Sequence, residues 1–272
     1  MKKILISVAP VSATDTHIDP VAIANDVVAC SKSGAAMVHL HVRDKKGQLT
    51  SDLSLLEETI RLIKAQCDII VQASTGGVSN LTIEERCAPL YGNWVEATSL
   101  NVGSVNLGEY VYKNPIKDVK YCVDQIIKNK KIPEIEVFEM GMVHTAKELC
   151  EEFDFIKPVL FSVVLGHIGA SPATVGTLKS MVGSLNEFFP NEKEMLWGIT
   201  HAHRQDFSII KQAIEMGAST IRIGFEDSKY INAGVTVDTN LPLVEKVASI
   251  VKEMNCLPAS PKEAREMLNI PV

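Results

Sequence analysis

Residues 37–77 read MVHLHVRDKKGQLTSDLSLLEETIRLIKAQCDIIVQASTGG, and their pattern indicates the fold class. Met37–Val42 and Ile69–Ala73 are rich in apolar and β-branched residues, which predicts two strands. Between them, Ser51–Lys64 carries apolar residues at helical spacing, which predicts a helix. A strand, a helix and a second strand in so short a stretch indicate a βαβ unit with parallel strands.

The same alternation extends from this unit to both ends of the chain. Eight strand–helix units in 272 residues predict an α/β protein, a (β/α)8 TIM barrel that forms one domain over residues 1–272. A doubly wound open sheet is the alternative, but no Gly-x-Gly-x-x-Gly motif follows the first strand. The remaining predicted strands are Ile4–Ala9, Glu96–Val102, Ile135–Met140, Leu160–Leu165, Leu196–Thr200 and Thr220–Phe225.

Helix starts are also visible in the sequence. Asp19 followed by Pro20 predicts the start of the first helix, because Asp caps a helix and Pro suits its first turn. Thr82 with Glu85, and Thr145 with Glu148, have the spacing of a capping box and predict two more starts.

Composition and charge exclude several classes of function. The formal net charge is −6, and no basic stretch with interleaved aromatic residues occurs, which argues against nucleic-acid binding. No apolar run approaches the ~20 residues that a membrane span needs. The six cysteines lie mostly in apolar segments without a Cys-x-x-Cys pair, which is typical of core thiols in a reducing compartment. We therefore expect a cytoplasmic protein.

The strongest local signal for chemistry is the pair His39 and His41. Side chains alternate along a strand, so both imidazoles point to one face and Leu40 to the other. The apolar face should pack on the helices, which turns the imidazoles into the barrel. Such a pair can bind one metal ion, or can satisfy its hydrogen bonds without a metal.

The predicted eighth strand supplies a third metal ligand. By alternation, Arg222 and Glu226 point into the barrel. In a closed barrel, strand eight lies beside strand one and near strand two, so Glu226 can reach His39 and His41. Two histidines and a carboxylate leave an open position on zinc, as catalytic sites require. Arg222 beside Asp227 predicts a buried charge pair, which either serves catalysis or closes the barrel as a structural ion pair.

Polar residues at other strand ends are further candidates. Ser74-Thr75-Gly76-Gly77 offers hydroxyl and backbone N–H groups to an oxyanion or carboxylate, although a glycine-rich turn would have the same sequence. The fourth and fifth strands add Thr98, Asn101 and Glu136. An acidic residue inside a strand is unusual and favours a functional role for Glu136.

A second His-x-His motif, His201-Ala202-His203, competes with the first as a metal site. It lies at a predicted strand–loop junction with the basic Arg204 beside it. We therefore rank it below His39 and His41.

Five segments occur in the order and spacing of one known family. They are His39–Asp44 (HLHVRD), Ser74–Gly77 (STGG), Arg86–Leu90 (RCAPL), Glu96–Asn101 (EATSLN) and Arg222–Asp227 (RIGFED). The chain therefore resembles the β-keto acid cleavage enzymes, whose type member cleaves 3-keto-5-aminohexanoate in lysine fermentation. Each motif alone is modest, but the ordered set runs from the first strand to the eighth.

The resemblance implies a TIM barrel that forms a homotetramer and holds one divalent metal, normally zinc, per subunit. It implies a reaction in which a β-keto acid and acetyl-CoA give acetoacetate and a new acyl-CoA. The site residues that it implies are His39, His41 and Glu226 for the metal, Asp227, Arg222 and Ser74 for catalysis, and Thr98 and Glu136 for the substrate.

The end of the first strand departs from the family pattern. Where the lysine-fermentation enzyme has a glutamate suited to an amino group, this chain reads Ser12-Ala13-Thr14. The resemblance therefore does not extend to an aminated substrate. We expect Thr14, together with Thr75, Gly76 and Asn101, among the substrate contacts.

These residues suggest a mechanism. We expect zinc to polarise the 3-keto oxygen, and Asp227, tuned by Arg222 and Ser74, to remove a proton from acetyl-CoA. Because no dinucleotide fingerprint is present, CoA should bind across loops. Arg204 at the barrel mouth is our candidate contact for a CoA phosphate.

Two other functions remain open at this point. The first is a zinc-dependent TIM-barrel hydrolase of the amidohydrolase kind, but there the His-x-His motif ends the first strand rather than the second. The second is a barrel stabilised by metal and used only for binding. Ser74, Arg222 and Asp227 argue against that function, because a binding protein has no need of them.

Overall fold

Eight parallel strands close into a barrel in the computed structural model, which describes residues 1–191 and 193–271. The eighth barrel strand pairs with the first, with Thr220 beside Leu5 and Ile223 beside Val8. This closure confirms the TIM barrel and excludes the open sheet. In chain order the strands are β1 (Lys2–Val8), β2 (Ala35–Leu40), β3 (Ile70–Ser74), β4 (Ala97–Asn101), β5 (Val105–Leu107), β6 (Tyr110–Tyr112), β7 (Ile132–Val137), β8 (Val159–Leu165), β9 (Met195–His201), β10 (Thr220–Ile223), β11 (Tyr230–Asn232), β12 (Val235–Thr236) and β13 (Cys256–Pro258).

Helices alternate with the barrel strands and cover their outer face. The first helix begins as predicted: Asp19 accepts a hydrogen bond from the Val21 N–H at 2.9 Å, and Pro20 occupies the first turn. Within residues 1–191 and 193–271, no helix has the length and apolar character needed to cross a membrane. The helices are α1 (Pro20–Lys32), α2 (Ser54–Lys64), α3 (Ile83–Arg86), α4 (Ile116–Lys128), α5 (Met140–Glu152), α6 (Val175–Phe188), α7 (Ser208–Glu215), α8 (Leu241–Glu253) and α9 (Pro261–Leu268).

One of the two predicted capping boxes is wrong. Thr82 and Glu85 form a capping box at the start of α3. Thr145 instead lies inside α5, which already begins at Met140, and its hydroxyl donates to the Gly141 carbonyl oxygen at 3.2 Å. The hairpins β5–β6 and β11–β12 and the strand β13 were not predicted, because each is too short to show a periodic pattern.

The barrel interior is apolar at the end where the strands begin. Leu5 and Met37 belong there to a buried cluster that includes Leu268 of α9. Because this end is filled by apolar side chains, a polar site must lie at the other end, where TIM barrels place their active sites. The next inward positions along the strands are polar and buried, and include Ser7, Gln72, Ser99, Glu134 and Ser162.

A tight turn at Gly224 ends β10 and positions the residues that follow. Gly224 has φ +139°, and a Cβ on it would lie 2.3 Å from the Ala9 carbonyl oxygen. The same oxygen accepts a hydrogen bond from the Glu226 N–H at 3.1 Å. Only glycine fits this conformation and this close approach. The turn therefore places Glu226 and Asp227 over the C-terminal end of the barrel.

Replacing Gly224 tests this close approach. We expect Gly224→Ala to lower the free energy of unfolding by about 3 kcal/mol or more, because left-handed strain of about 1–2 kcal/mol adds to overpacking of about 1–3 kcal/mol. Gly217→Ala is the matched control, since Gly217 has φ +103° and no atom within 4 Å of its Cβ position. Urea denaturation of the metal-free proteins measures both, and equal losses would contradict the role of the Ala9 contact.

Candidate active site

Three metal-binding side chains meet at the C-terminal end of the barrel. His39 lies on β2, His41 follows the end of that strand, and Glu226 follows the Gly224 turn. The His39 and His41 Nε2 atoms are 3.3 Å apart, and Glu226 Oε1 lies 3.2 Å from His41 Nε2 and 3.7 Å from His39 Nε2. The structure thus brings together the three residues that the sequence singled out.

The donor atoms fit a divalent ion such as zinc. Tetrahedral zinc with bonds of about 2.0–2.1 Å to nitrogen and oxygen places neighbouring ligand atoms roughly 3.3 Å apart, close to the three distances seen here. Among residues 1–191 and 193–271, these three form the one group of His, Cys, Asp or Glu close enough to share an ion. The competing pair, His201 and His203, is not part of it.

Two of the ligands, His39 and Glu226, are in the ionisation states that a metal requires. Burial lowers the pKa of His39 to about 3, although the Glu226 carboxylate opposes this, so the imidazole is neutral at neutral pH. Burial favours the neutral form of Glu226, but Arg222, His41 and His39 together hold its pKa well below the usual range. Neutral imidazole and ionised carboxylate are the forms that bind metal.

A buried guanidinium organises the carboxylates of the site. Arg222 donates to the Asp227 carboxylate from Nε at 3.0 Å and from Nη2 at 2.6 Å, and its Nη2 donates to Glu226 Oε1 at 3.0 Å. Its Nη1 lies 3.5 Å from Glu136 Oε1. Burial alone would lower the pKa of Arg222, but Asp227 and Glu226 raise it well above its usual value. The predicted pair of Arg222 and Asp227 is therefore present and bidentate.

Backbone contacts fix Asp227 in place. Its carbonyl oxygen accepts from the His203 N–H at 2.8 Å, and its own N–H donates to the Gly224 carbonyl oxygen at 3.1 Å. His203 has φ +54°, a left-handed conformation that few residues other than glycine adopt. The second His-x-His motif thus supports Asp227 through its backbone.

Two further carboxyl groups line the barrel interior on β7. Glu134 and Glu136 are two residues apart and share the inward face. Burial raises the pKa of Glu136 to about 8, although Arg222 opposes the shift. Burial also raises the pKa of Glu134, against a hydrogen bond from Gln72 and the charge of Arg222. Glu136 therefore holds its proton at neutral pH and can donate a hydrogen bond.

The turn after β3 separates the predicted substrate residues into two groups. The Ser74 hydroxyl lies on the inward face, 3.3 Å from the Ser99 hydroxyl, and accepts from the Gly76 N–H at 3.1 Å. Thr75 instead donates its hydroxyl hydrogen to the Ser99 carbonyl oxygen at 2.7 Å. Gly76 is covered by Tyr112, whose hydroxyl oxygen would lie 1.6 Å from a Cβ. Ser74 offers a side chain to the barrel interior, whereas Thr75 and Gly76 maintain the turn.

The prediction that the Thr98 side chain contacts the substrate does not agree with the structure. Thr98 is fully buried, pairs with Ala73 on the outward face, and donates its hydroxyl hydrogen to the Ala73 carbonyl oxygen at 2.7 Å. Its neighbours Ser99 and Asn101 occupy the inward face. Asn101 accepts from the Gly103 N–H at 2.9 Å, and its Nδ2 has no hydrogen-bond partner among the described residues.

Two residues predicted at the barrel mouth have different environments. Thr14 is exposed in the loop after β1, with its hydroxyl 2.9 Å from that of Ser12. Arg204 is only 1% exposed, and its guanidinium lies 4.1 Å from the centre of the Phe207 ring. The prediction that Arg204 meets a CoA phosphate at the mouth is therefore wrong, because its side chain turns into the protein.

Sequence reasoning missed three residues that line the site. Gln72 shares the inward face of β3 with Ser74, and Glu134 shares that of β7 with Glu136, so strict alternation would have found both. Tyr112 comes from the β5–β6 hairpin, whose strands are too short to be predicted from a periodic pattern.

Comparison with known proteins shows similarity to one family along most of the chain. The family described as beta-keto acid cleavage enzyme matches residues 3–270. The chain is 35% identical to the 3-keto-5-aminohexanoate cleavage enzyme of Acetoanaerobium sticklandii, over 88% of this chain and 85% of that protein. It is 28% identical to the 3,5-dioxohexanoate:acetyl-CoA acetone transferase of Paraburkholderia graminis, over 99% of this chain and 96% of that protein.

Among solved structures, the apo structure of ObcA is similar, with a TM-score of 0.80 and 20% identity. The match covers 94% of this chain and 65% of the ObcA chain. This likeness supports the shared barrel fold.

Substitution of Glu136 tests the protonation state of the site. A carboxyl whose pKa is raised to about 8 keeps its proton in the folded protein after the unfolded chain has lost it, so wild-type stability falls as the pH rises from about 4.5 to about 8. Glu136→Gln removes this titration. We expect the unfolding free energy of the metal-free variant, relative to that of the wild type, to increase across that range by roughly a few kcal/mol at most.

The measurement is urea denaturation of both proteins at intervals between pH 5 and pH 8.5. The difference between their unfolding free energies should grow up to about pH 8 and then level off. Parallel stability curves would show that Glu136 ionises normally in the folded protein.

Proposed function

The chain belongs to the β-keto acid cleavage enzyme family, and we propose that it uses one zinc ion per subunit to react a β-keto acid with acetyl-CoA. The products are acetoacetate and a new acyl-CoA. One observation carries the proposal: the cluster of His39, His41 and Glu226 donor atoms is joined to the Arg222–Asp227 pair by the hydrogen bond from Arg222 to Glu226 at 3.0 Å. A metal site and a candidate base are thereby within reach of one small substrate.

The relatives support both co-substrates. The Acetoanaerobium protein is named for cleavage of 3-keto-5-aminohexanoate, and the Paraburkholderia protein for transfer from 3,5-dioxohexanoate to acetyl-CoA. Both keto acids carry a carbonyl at C3 and differ further along the chain. We therefore assign the shared part of the substrate to the metal pocket and leave the remainder to the surrounding loops. The amidohydrolase-like hypothesis has no such support.

Zinc held by His39, His41 and Glu226 would supply Lewis-acid polarisation of the keto oxygen. Arg222 donates to Glu226 and to Asp227, which fixes both carboxylates relative to each other. A ligand and a base that are held by one rigid group keep their separation when the substrate binds.

The carbon balance changes one step that the sequence suggested. Acetoacetate contains the acetyl group of acetyl-CoA joined to C1 and C2 of the keto acid, while C3 onward leaves as the acyl-CoA. The new bond therefore joins C2 to the acetyl carbon as the acetyl C–S bond breaks. The CoA thiolate released in that step bonds to C3 as the C2–C3 bond breaks, which gives the acyl-CoA. We assign Asp227 to removal of a proton from C2 of the keto acid, and not from acetyl-CoA.

The remaining polar groups are assigned as substrate contacts. The Ser74 hydroxyl and Asn101 Nδ2, which has no hydrogen-bond partner among the described residues, can donate to a carboxylate or a thioester oxygen. Glu136, which is protonated at neutral pH, can donate to a further oxygen. Thr14 in the loop after β1 is the candidate for selecting the far end of the keto acid, and an uncharged residue there favours a substrate without an amino group.

We also propose the assembly and setting that the family implies. The chain would form one domain over residues 1–272, of which Glu192 and Val272 lie outside the described residues. It would assemble as a homotetramer in the cytoplasm, where its six free cysteines stay reduced. A place in lysine fermentation rests on the similarity to the Acetoanaerobium enzyme.

Metal content provides the first test. We expect one zinc per chain after zinc loading and dialysis, measured by atomic emission, and near-complete loss of tight zinc in His39→Ala. His203→Ala is the matched control and should retain the metal, because His203 lies outside the ligand group. If His203→Ala lost zinc while His39→Ala retained it, the metal would belong to the second His-x-His motif, and the proposed site would be wrong.

Product analysis tests the reaction itself. Zinc-loaded protein is mixed with acetyl-CoA and a panel of β-keto acids, with and without amino groups, and the products are identified by mass spectrometry. We expect acetoacetate and a new acyl-CoA. With acetyl-CoA labelled in its acetyl group, the label should appear in acetoacetate. Asp227→Asn should keep zinc and lose turnover by about a hundredfold or more.

Two results would contradict the proposal. Hydrolysis of a lactone or amide without CoA would favour a hydrolase. Full activity in Asp227→Asn would remove the assigned base.

A further inference from the structure

A buried chain of hydrogen bonds leads away from the metal pocket through residues that the proposed mechanism does not use. His39 Nδ1 lies 2.6 Å from Gln72 Oε1, and Gln72 Nε2 donates to Glu134 Oε2 at 2.7 Å. The three residues are 1%, 0% and 3% exposed, so water does not compete for these bonds. These hydrogen bonds therefore connect His39 to the Glu134 carboxyl group on β7.

Strand register explains how the chain forms. His39 pairs with Gln72 across β2 and β3, so their side chains lie side by side on the inward face. On the next strand, Gln72 pairs with Ala97, which carries only a methyl group. Glu134 pairs with Ser99 on the far side of that strand. The long side chains of Gln72 and Glu134 can thus meet across Ala97.

The order of donors and acceptors in these hydrogen bonds sets the His39 tautomer. The Gln72 amide has one donor end and one acceptor end, and Glu134 occupies the donor end. The oxygen end then faces His39 Nδ1, which must carry the hydrogen. This leaves the lone pair of His39 on Nε2, the atom that faces His41 and Glu226. A reversed amide would place the hydrogen on Nε2 and block metal binding.

The two histidine ligands differ in this respect. Nδ1 of His41 is buried and has no hydrogen-bond partner among the described residues. His39 is therefore the ligand whose orientation is fixed before the metal arrives.

We propose that Gln72 and Glu134 are positioning residues that hold His39 as the Nδ1–H tautomer and so present its Nε2 to the metal. The role in metal binding rests on the zinc site proposed above, whereas the tautomer is a property of the metal-free protein. Partners of this kind typically contribute a factor of about 10–100 in metal affinity.

Gln72→Met tests the proposal, because methionine has a similar length and neither donates nor accepts as an amide does. We expect the His39 tautomer in the metal-free protein to shift from Nδ1–H toward Nε2–H, read from the ring nitrogen shifts of ¹⁵N-histidine-labelled protein. We expect the zinc Kd, measured by competition with a chromophoric chelator, to rise by about 10–100-fold.

Further variants separate positioning from simple disruption. Glu134→Gln keeps an acceptor oxygen and should retain the tautomer and a zinc Kd within about threefold of the wild type, whereas Glu134→Met should behave as Gln72→Met. Ser162→Ala is the matched control, because Ser162 is a buried polar residue whose hydroxyl lies 2.8 Å from that of Thr200. It takes no part in the hydrogen bonds that join His39, Gln72 and Glu134. It should change neither readout.

The outcomes distinguish this proposal from the proposed function. If the wild type shows Nε2–H at His39, or if Gln72→Met alters neither tautomer nor Kd, the positioning role is wrong. If the wild type fails to bind zinc while the tautomer shifts as expected in Gln72→Met, the role of Gln72 in setting the tautomer is supported. The zinc site of the proposed function is then wrong.

Discussion

The polar interior of this barrel depends on one buried cation, the Arg222 guanidinium. It donates to Asp227 and Glu226 and lies 3.5 Å from Glu136, so one positive charge serves three carboxyl groups. A single guanidinium cannot compensate three buried negative charges. Glu226 is held as a carboxylate, while Glu136, the most distant of the three, keeps its proton to a pKa of about 8. Burial therefore keeps the proton on Glu136, whereas the nearer Arg222 guanidinium overcomes burial at Glu226.

The fold delivers this arrangement through the turn after β10. Arg222 is on the strand, whereas Glu226 and Asp227 lie beyond Gly224, where only a glycine can approach Ala9 so closely. The turn folds the two carboxylates back onto the guanidinium of their own strand. Because β10 pairs with β1 and β1 pairs with β2, Glu226 then reaches His39 on β2 and His41 just after that strand. Local backbone geometry and barrel closure are therefore both required for the site.

Much of this could be predicted from the sequence, and the failures have physical causes. Alternation along β2 and around Gly224 was enough to bring His39, His41 and Glu226 together. Thr98 was predicted as a substrate contact from the family resemblance, but the alternation of side chains along β4 turns it outward. The direction of the Arg204 side chain, and the meeting of Gln72 with Glu134 across β4, depend on packing and on strand register. Neither is visible in a single sequence.

In the mechanism that we propose, Arg222, Asp227 and Glu226 form a pre-arranged frame for a metal bound by His39 and His41. Anomalous diffraction at the zinc edge, from crystals of the zinc-loaded protein, would locate the metal relative to these residues. We expect one zinc about 2.0–2.1 Å from the two Nε2 atoms and a Glu226 oxygen, with the Arg222–Asp227 pair unchanged. Zinc bound elsewhere, or bound only after Arg222 leaves Asp227, would contradict it.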